Sequence, residues 1–147
     1  MSKLIYVLNG PNLNLLGERE PELYGRDTLD DIRERCVALA AADGFEIDFR
    51  QTNFEGELVE SIHEARKRAA AIVINPAGLS FFSVPVLDAL KTFEGPKIEV
   101  HLTNIHQREA PYQRSLVSLT ATGVICGLGA QVYELAIAAV VRRLQRG

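Results

Sequence analysis

Two side chains in the middle of the chain are spaced for acid–base chemistry. Glu99 and His101 sit two residues apart in Lys97-Ile-Glu-Val-His-Leu102, a run that reads as a β-strand, so both project from one face. A carboxylate beside an imidazole favours the imidazolium and fixes which ring nitrogen carries the proton. That is how a general acid is assembled. The same pair on an exposed edge strand would do no chemistry. Its place at the carboxyl end of a strand in an α/β chain, where ligands bind, favours the acid.

A second candidate is Gly17-Glu-Arg-Glu-Pro-Glu-Leu-Tyr-Gly25, a polar stretch bounded by glycines, as active-site lids often are. It carries Arg19 and Tyr24. A guanidinium near a tyrosine favours the phenolate, a usable base. Spacing alone favours the plainer reading, in which Arg19 and Tyr24 merely pack a loop onto the surface.

Other chemistries find no pattern. Gly127-Leu-Gly129 is a fragment of a dinucleotide loop that follows the last strand instead of the first, with Val132 at the third glycine position. There is no phosphate-binding lysine loop and no serine elbow. His101 and His106 fall at no zinc spacing, and His63 lies on a helix among Glu and Arg. No metal and no nucleotide cofactor is expected; the work falls to side-chain acids and bases.

Short apolar runs alternating with amphipathic stretches must position these groups. Strands are expected at Leu4–Leu8, around Phe45–Phe49 (alternating, with one wet face, as an edge strand has), at Ala71–Ile74, Lys97–Leu102 and Gly123–Cys126. Helices are expected from a Thr28 or Asp27 cap to Gly44, over 56–70, over 84–93 with Pro85 in the first turn, and over 131–144. The stretch from Gly10 to about Asp27 reads as a long polar loop. Five strands alternating with four helices imply an α/β fold with a parallel sheet, flavodoxin-like in its 2-1-3-4-5 order. Asn9, Asn12, Asn14, Gln51, Asn53 and Asn75 then also fall at or beyond strand ends.

With 147 residues, 47% of them hydrophobic and 24% charged, the chain has ordinary globular composition, and its length suits one domain, 1–147. A net charge of −3 gives no global grip on nucleic acid or anionic membrane. The basic clusters Arg66-Lys67-Arg68 and Arg142-Arg143 read as solvated faces. No stretch is apolar enough for a membrane span, and no secretory signal is visible. Cys36 and Cys126 form neither a metal pattern nor a disulfide framework and read as small core hydrophobes. A reducing cytoplasm is the expected compartment.

Several longer segments, in order, carry a resemblance that spans essentially the whole chain. They are Leu8-Asn-Gly-Pro-Asn-Leu-Asn-Leu-Leu-Gly17 with Arg19-Glu-Pro21 and Tyr24-Gly25; Asn75-Pro-Ala-Gly78; Ile98-Glu-Val-His-Leu-Thr-Asn104 with His106 and Arg108-Glu109; and Ala121-Thr-Gly-Val-Ile-Cys-Gly-Leu-Gly129. The sequence resembles the type II 3-dehydroquinate dehydratases. The resemblance implies a flavodoxin-like fold, no cofactor, a homo-oligomer (a dodecamer built from trimers), and dehydration of 3-dehydroquinate to 3-dehydroshikimate in aromatic biosynthesis or quinate breakdown. It implies Tyr24, activated by Arg19, as the base; Asn12 as holder of the water that stabilises the enolate; and His101, oriented by Glu99, as the acid. Asn75 and the backbone amides of Leu102 and Thr103 would bind the substrate carboxylate, and Asp88 would reach a hydroxyl in a neighbouring subunit's site.

The chain departs from the family's pattern where His is usual and Phe81 stands, where Thr is usual and Phe82 stands, and where Arg is usual and Tyr112 stands. In the family, the residues at positions 81 and 112 contact ring hydroxyls, not the proton-transfer atoms. Two alternatives follow: a sister dehydratase for a ring-modified substrate, such as the 5-amino analogue, or a catalytically silent flavodoxin-like binding protein. The acid–base set Asn12, Arg19, Tyr24, Asn75, Glu99 and His101 argues against the silent binder.

Overall fold

A computed structural model describes residues 2–147. The strands are β1 (Leu4–Asn9), β2 (Glu46–Gln51), β3 (Ala71–Asn75), β4 (Lys97–His101) and β5 (Gly123–Cys126). The helices are α1 (Pro21–Tyr24), α2 (Leu29–Ala42), α3 (Glu55–Arg68), α4 (Val84–Lys91) and α5 (Gln131–Arg146). All neighbouring strands pair in parallel, in the order β2-β1-β3-β4-β5. This is the flavodoxin-like arrangement expected from the alternation of strands and helices.

The sheet is a sandwich filling because its central strands are apolar on both faces. From β1, Ile5 and Val7 enter the layer under α2 and α5, with Ala71, Val73, Ile98 and Val100 beside them. Tyr6 and Leu8 point the other way, into a second layer with Ile72, Ile74, Leu58, Ile62 and Leu90 under α3 and α4. Each such fully buried aliphatic side chain stabilises by roughly 1.5–3 kcal/mol, so β1 and β3 anchor both layers. Helix ends are set locally. The Thr28 hydroxyl accepts from Asp31 N while Asp31 accepts from Thr28 N, a reciprocal cap for α2. The Ser83 hydroxyl caps α4 by accepting from Val86 N, with Pro85 in the first turn. Gly44 follows α2 at φ +80°, the left-handed geometry glycine adopts without penalty.

Several expectations need correction. The 10–27 stretch is not one open loop: it holds a 3-10 turn at Leu13–Leu15 and the short helix α1, started by Pro21 in the first turn. β4 ends at His101, one residue earlier than expected, and is interior to the sheet. Cys36 is fully buried, but Cys126 is only half-buried, because it stands at the open end of the edge strand β5. The Arg66–Arg68 cluster is not simply solvated. Arg68 donates to the buried Tyr6 hydroxyl at 2.9 Å and Arg66 donates to Thr92 O, tying α3 to the sheet and to the end of α4. Among the described residues no helix is long and apolar enough to cross a membrane.

Candidate active site

The carboxyl ends of β1, β3 and β4 open onto one cavity of about 270 Å³. Its walls come from the loops after those three strands and from α1. Two loops must approach closely to shape it. Gly10 N donates to Asn75 O at 2.9 Å, and a side-chain carbon at Gly10 would stand 2.4 Å from Pro76 O. Only glycine fits there, so the loop after β1 can lie against the loop after β3. Beyond it, Asn12 holds φ +70° and Ala77 holds φ +53°, both uncommon for residues with a side chain, and both line the cavity. Such backbone concentrates at functional sites, where the surroundings hold it in place.

Under the cavity floor lies a buried polar network. The Tyr133 hydroxyl, from α5, donates to Asn9 Oδ1 at 2.6 Å and accepts from Asn75 Nδ2 at 3.0 Å. Asn75 Oδ1 accepts from Ala77 N at 3.1 Å. This leaves one Asn75 N–H for a ligand, since a side-chain amide has two. On the outer side, Asn53 Oδ1 accepts from Asn12 N and from Gln51 Nε2. Gln51 and Asn53 therefore brace the Asn12 turn and do not line the cavity.

Glu99 and His101 form a carboxylate–imidazole pair on β4. Glu99 is 0% and His101 5% exposed, and His101 Nε2 lies 2.5 Å from Glu99 Oε2. An exposed edge-strand pair is ruled out. The Ser118 hydroxyl donates to Glu99 Oε1 at 2.5 Å. Burial by itself would raise the Glu99 pKa. Hydrogen bonding from His101, with contributions from Ser115 and Ser118, outweighs it and holds the carboxyl below its usual range. The Ser115 hydroxyl is buried nearby without a hydrogen bond of good geometry. Glu99 stands behind His101 and does not line the cavity.

Arg19 and Tyr24 reach the same cavity from the segment 17–25 that contains α1. The Arg19 guanidinium stands over the Tyr24 ring, 5.2 Å from its centre, and pairs at its outer edge with Glu20 at 3.3 Å. Leu102 and Thr103, just past β4, also line the cavity. Among the loop and turn hydrogen bonds of the described residues, neither of their amides donates to the chain, so both remain available to an anion.

Phe81 and Tyr112 close one side. Phe81 stacks on His101 with ring centres 6.3 Å apart, and Tyr112 meets Phe81 edge-on at 5.6 Å. Nine of the sequence-predicted residues thus meet at one cavity: Asn12, Arg19, Tyr24, Asn75, Phe81, His101, Leu102, Thr103 and Tyr112. Asp88 does not; it sits on the exposed side of α4. Sequence reasoning missed Arg108, which lines the cavity with its guanidinium 4.6 Å over the Tyr112 ring. It also missed Ser118 and Tyr133. Arg108 and Ser118 lie in irregular segments with no periodicity, and Tyr133 hides among the apolar positions of α5. The signal available for Arg108 was its adjacency to the segment that follows β4.

In chemical terms, the cavity sets a phenol beside a guanidinium against an imidazole backed by an ionised carboxylate. Amide donors surround the space between them. Comparison with known proteins gives the same setting a family. The model of the family described as "Dehydroquinase class II" matches residues 3–141. A 3-dehydroquinate dehydratase of Caulobacter vibrioides is 58% identical over 139 residues, covering 95% of each chain. One from Cereibacter sphaeroides is 55% identical over 137 residues, covering 93% of each. The crystal structure of type II dehydroquinase from Propionibacterium acnes superposes with a TM-score of 0.92 at 43% identity, covering 97% of this chain and 98% of that one. Sheet order, cavity and sequence agree, and the chain belongs to the class II dehydroquinase family.

Proposed function

We propose that the protein dehydrates 3-dehydroquinate to 3-dehydroshikimate through an enolate, without a cofactor. The observation that carries this reading is that His101, backed by the buried Glu99, opens on the same cavity as Tyr24 and Arg19. Tyr24, with Arg19 beside it, removes the proton on the carbon alpha to the ketone. The electron pair moves onto the ketone oxygen, and the enolate is stabilised by a water that Asn12 helps to hold. His101 then gives its proton to the hydroxyl on the next carbon. That hydroxyl leaves as water while the enolate collapses to the conjugated enone, and Glu99 balances the imidazolium charge before the proton is spent. Asn75 and the Leu102 and Thr103 amides hold the substrate carboxylate, and Phe81 and Tyr112 bound the ring.

The finer setting belongs to the same proposal. Residues 1–147 form one catalytic domain that works in the cytoplasm, in aromatic biosynthesis or quinate breakdown. It assembles as a homo-oligomer, a dodecamer built from trimers, in which the exposed Asp88 completes a neighbour's site. The test follows enone formation by ultraviolet absorbance, with 3-dehydroquinate and its 5-amino analogue side by side. Faster turnover of 3-dehydroquinate is expected. Turnover of the amino analogue alone would move the protein to a sister reaction, and turnover of neither would make it a binding protein.

A further inference from the structure

The Glu99 carboxylate has two oxygens, and each makes a hydrogen bond of good geometry to a side chain from a different part of the chain, with the Ser115 hydroxyl buried nearby. Oε2 faces His101 Nε2 at 2.5 Å, while Oε1 accepts from Ser118 at 2.5 Å. A buried carboxylate with one oxygen free could rotate about its last bond, a broad torsion, and take the imidazole with it. Ser118 prevents this, and its own position is firm. It lies in the 3-10 turn Val117–Leu119, whose Val117 is buried in the layer under α3 and α4. Leu116 N, one residue before the turn, donates to Ser80 O at 2.7 Å, and both Thr120 N and Ala121 N donate to Val117 O. Ser80 precedes Phe81, whose ring stacks on His101. The turn therefore reaches the imidazole twice, through Glu99 and through the Phe81 segment.

We propose that Ser118 is a positioning residue for the acid: by holding Glu99 Oε1 it keeps Oε2 aimed at His101 Nε2 and leaves Nδ1 as the ring nitrogen that serves the cavity. The role rests on His101 acting as the acid. Ser118 touches neither the cavity nor the substrate, so its removal acts on the chemical step and not on binding. Small misplacements of a catalytic group cost up to about a hundredfold, and a hydrogen bond to a charged group is among the stronger ones.

The experiment compares steady-state dehydration of 3-dehydroquinate by Ser118→Ala and Ser118→Thr, each alone and in a Glu99→Ala background. For Ser118→Ala the expected kcat falls about tenfold or more while KM stays within about twofold. Ser118→Thr, which keeps the hydroxyl, restores kcat to within about threefold. In the Glu99→Ala background the change at 118 has no further effect, as coupled residues require and a merely structural role would not. The His101 ring N–H resonance, shifted downfield by its short hydrogen bond, moves in Ser118→Ala and returns in Ser118→Thr. Should alanine at 118 cost the fold, Ser118→Thr against Ser118→Val makes the same comparison at constant size. An unchanged kcat in Ser118→Ala, or an equal loss with Glu99 absent, overturns the proposal. Full activity in His101→Ala would instead overturn the acid itself, so the two failures are separable.

Discussion

Removing one oxygen atom from α5 should damage both the fold and the site. In Tyr133→Phe the ring stays and the hydroxyl goes. That hydroxyl donates to Asn9 Oδ1 at 2.6 Å and accepts from Asn75 Nδ2 at 3.0 Å. Tyr133 and Asn9 are fully buried and Asn75 is 3% exposed, so water cannot replace the lost partner without opening the floor. Burial pushes the Tyr133 pKa up, so the group stays a neutral phenol and a firm donor. The variant leaves one buried acceptor and one buried donor unmatched. At roughly 1–3 kcal/mol each, the expected loss is about 2–6 kcal/mol of stability. For a chain of this size that corresponds to a Tm lower by roughly 5–20 °C. Asn75 also loses one of the two contacts that fix its amide, so KM should rise more than kcat falls. Thermal denaturation at a fixed protomer concentration and steady-state kinetics read the two effects. A Tm within about one degree of the parent, with KM unchanged, would refute the reasoning.

Three further outcomes are expected. Because the folded Glu99 pKa lies below its usual value, its ionised form stabilises the fold above the unfolded value near 4.3, and that contribution disappears as pH falls through the folded pKa. The Tm difference between the parent and Glu99→Gln should therefore be largest above about pH 5 and shrink on acidification; a constant difference would contradict the sign. Burial first, and the nearby Glu134 charge second, push the Cys36 thiol up to about 12. Iodoacetamide at mildly alkaline pH should thus label at most Cys126 in the native protein and both thiols after denaturation, as mass spectrometry would report. Finally, Phe81→His combined with Tyr112→Arg should lower KM for 3-dehydroquinate by about two orders of magnitude with little change in kcat, because two charged donors replace an apolar wall. No change in KM would make these two aromatics neutral variation.

Much of this architecture was legible because two periodicities dominate the chain. Continuous apolar runs such as Ile5–Leu8 and Ala71–Ile74, short and bounded by turn residues, are typical of strands buried on both faces, and the caps at Thr28 and Gly44 follow from residue chemistry. The contact between Glu99 and His101 was legible for the same reason: spacing of two on a strand puts both on one face. Irregular backbone was harder. α1 is four residues long and is preceded by Glu20 at φ +41°, so no periodic pattern announces it. Arg108 and Ser118 reach the site from segments whose path is set by contacts distant in sequence, such as Leu116 N with Ser80 O. Tyr133 reads as one more apolar position of α5, and only the sheet brings it under Asn9 and Asn75, which are 124 and 58 residues away in the chain. The basic residues of α3 read as solvated because their partners, Tyr6 and Thr92, lie on other elements.

Splitting the two proton transfers tests the central claim most directly. Incubating 3-dehydroquinate in deuterium oxide with Tyr24→Phe or His101→Ala, and following the carbon alpha to the ketone by NMR, separates the base from the acid. With His101→Ala, deuterium should enter the substrate well above the uncatalysed rate while almost no enone forms, because the enolate forms and returns without expelling water. With Tyr24→Phe neither exchange nor enone should exceed background by much. Rapid enone formation by His101→Ala, or exchange by Tyr24→Phe as fast as by the parent, would contradict the assignment of base and acid to these two residues.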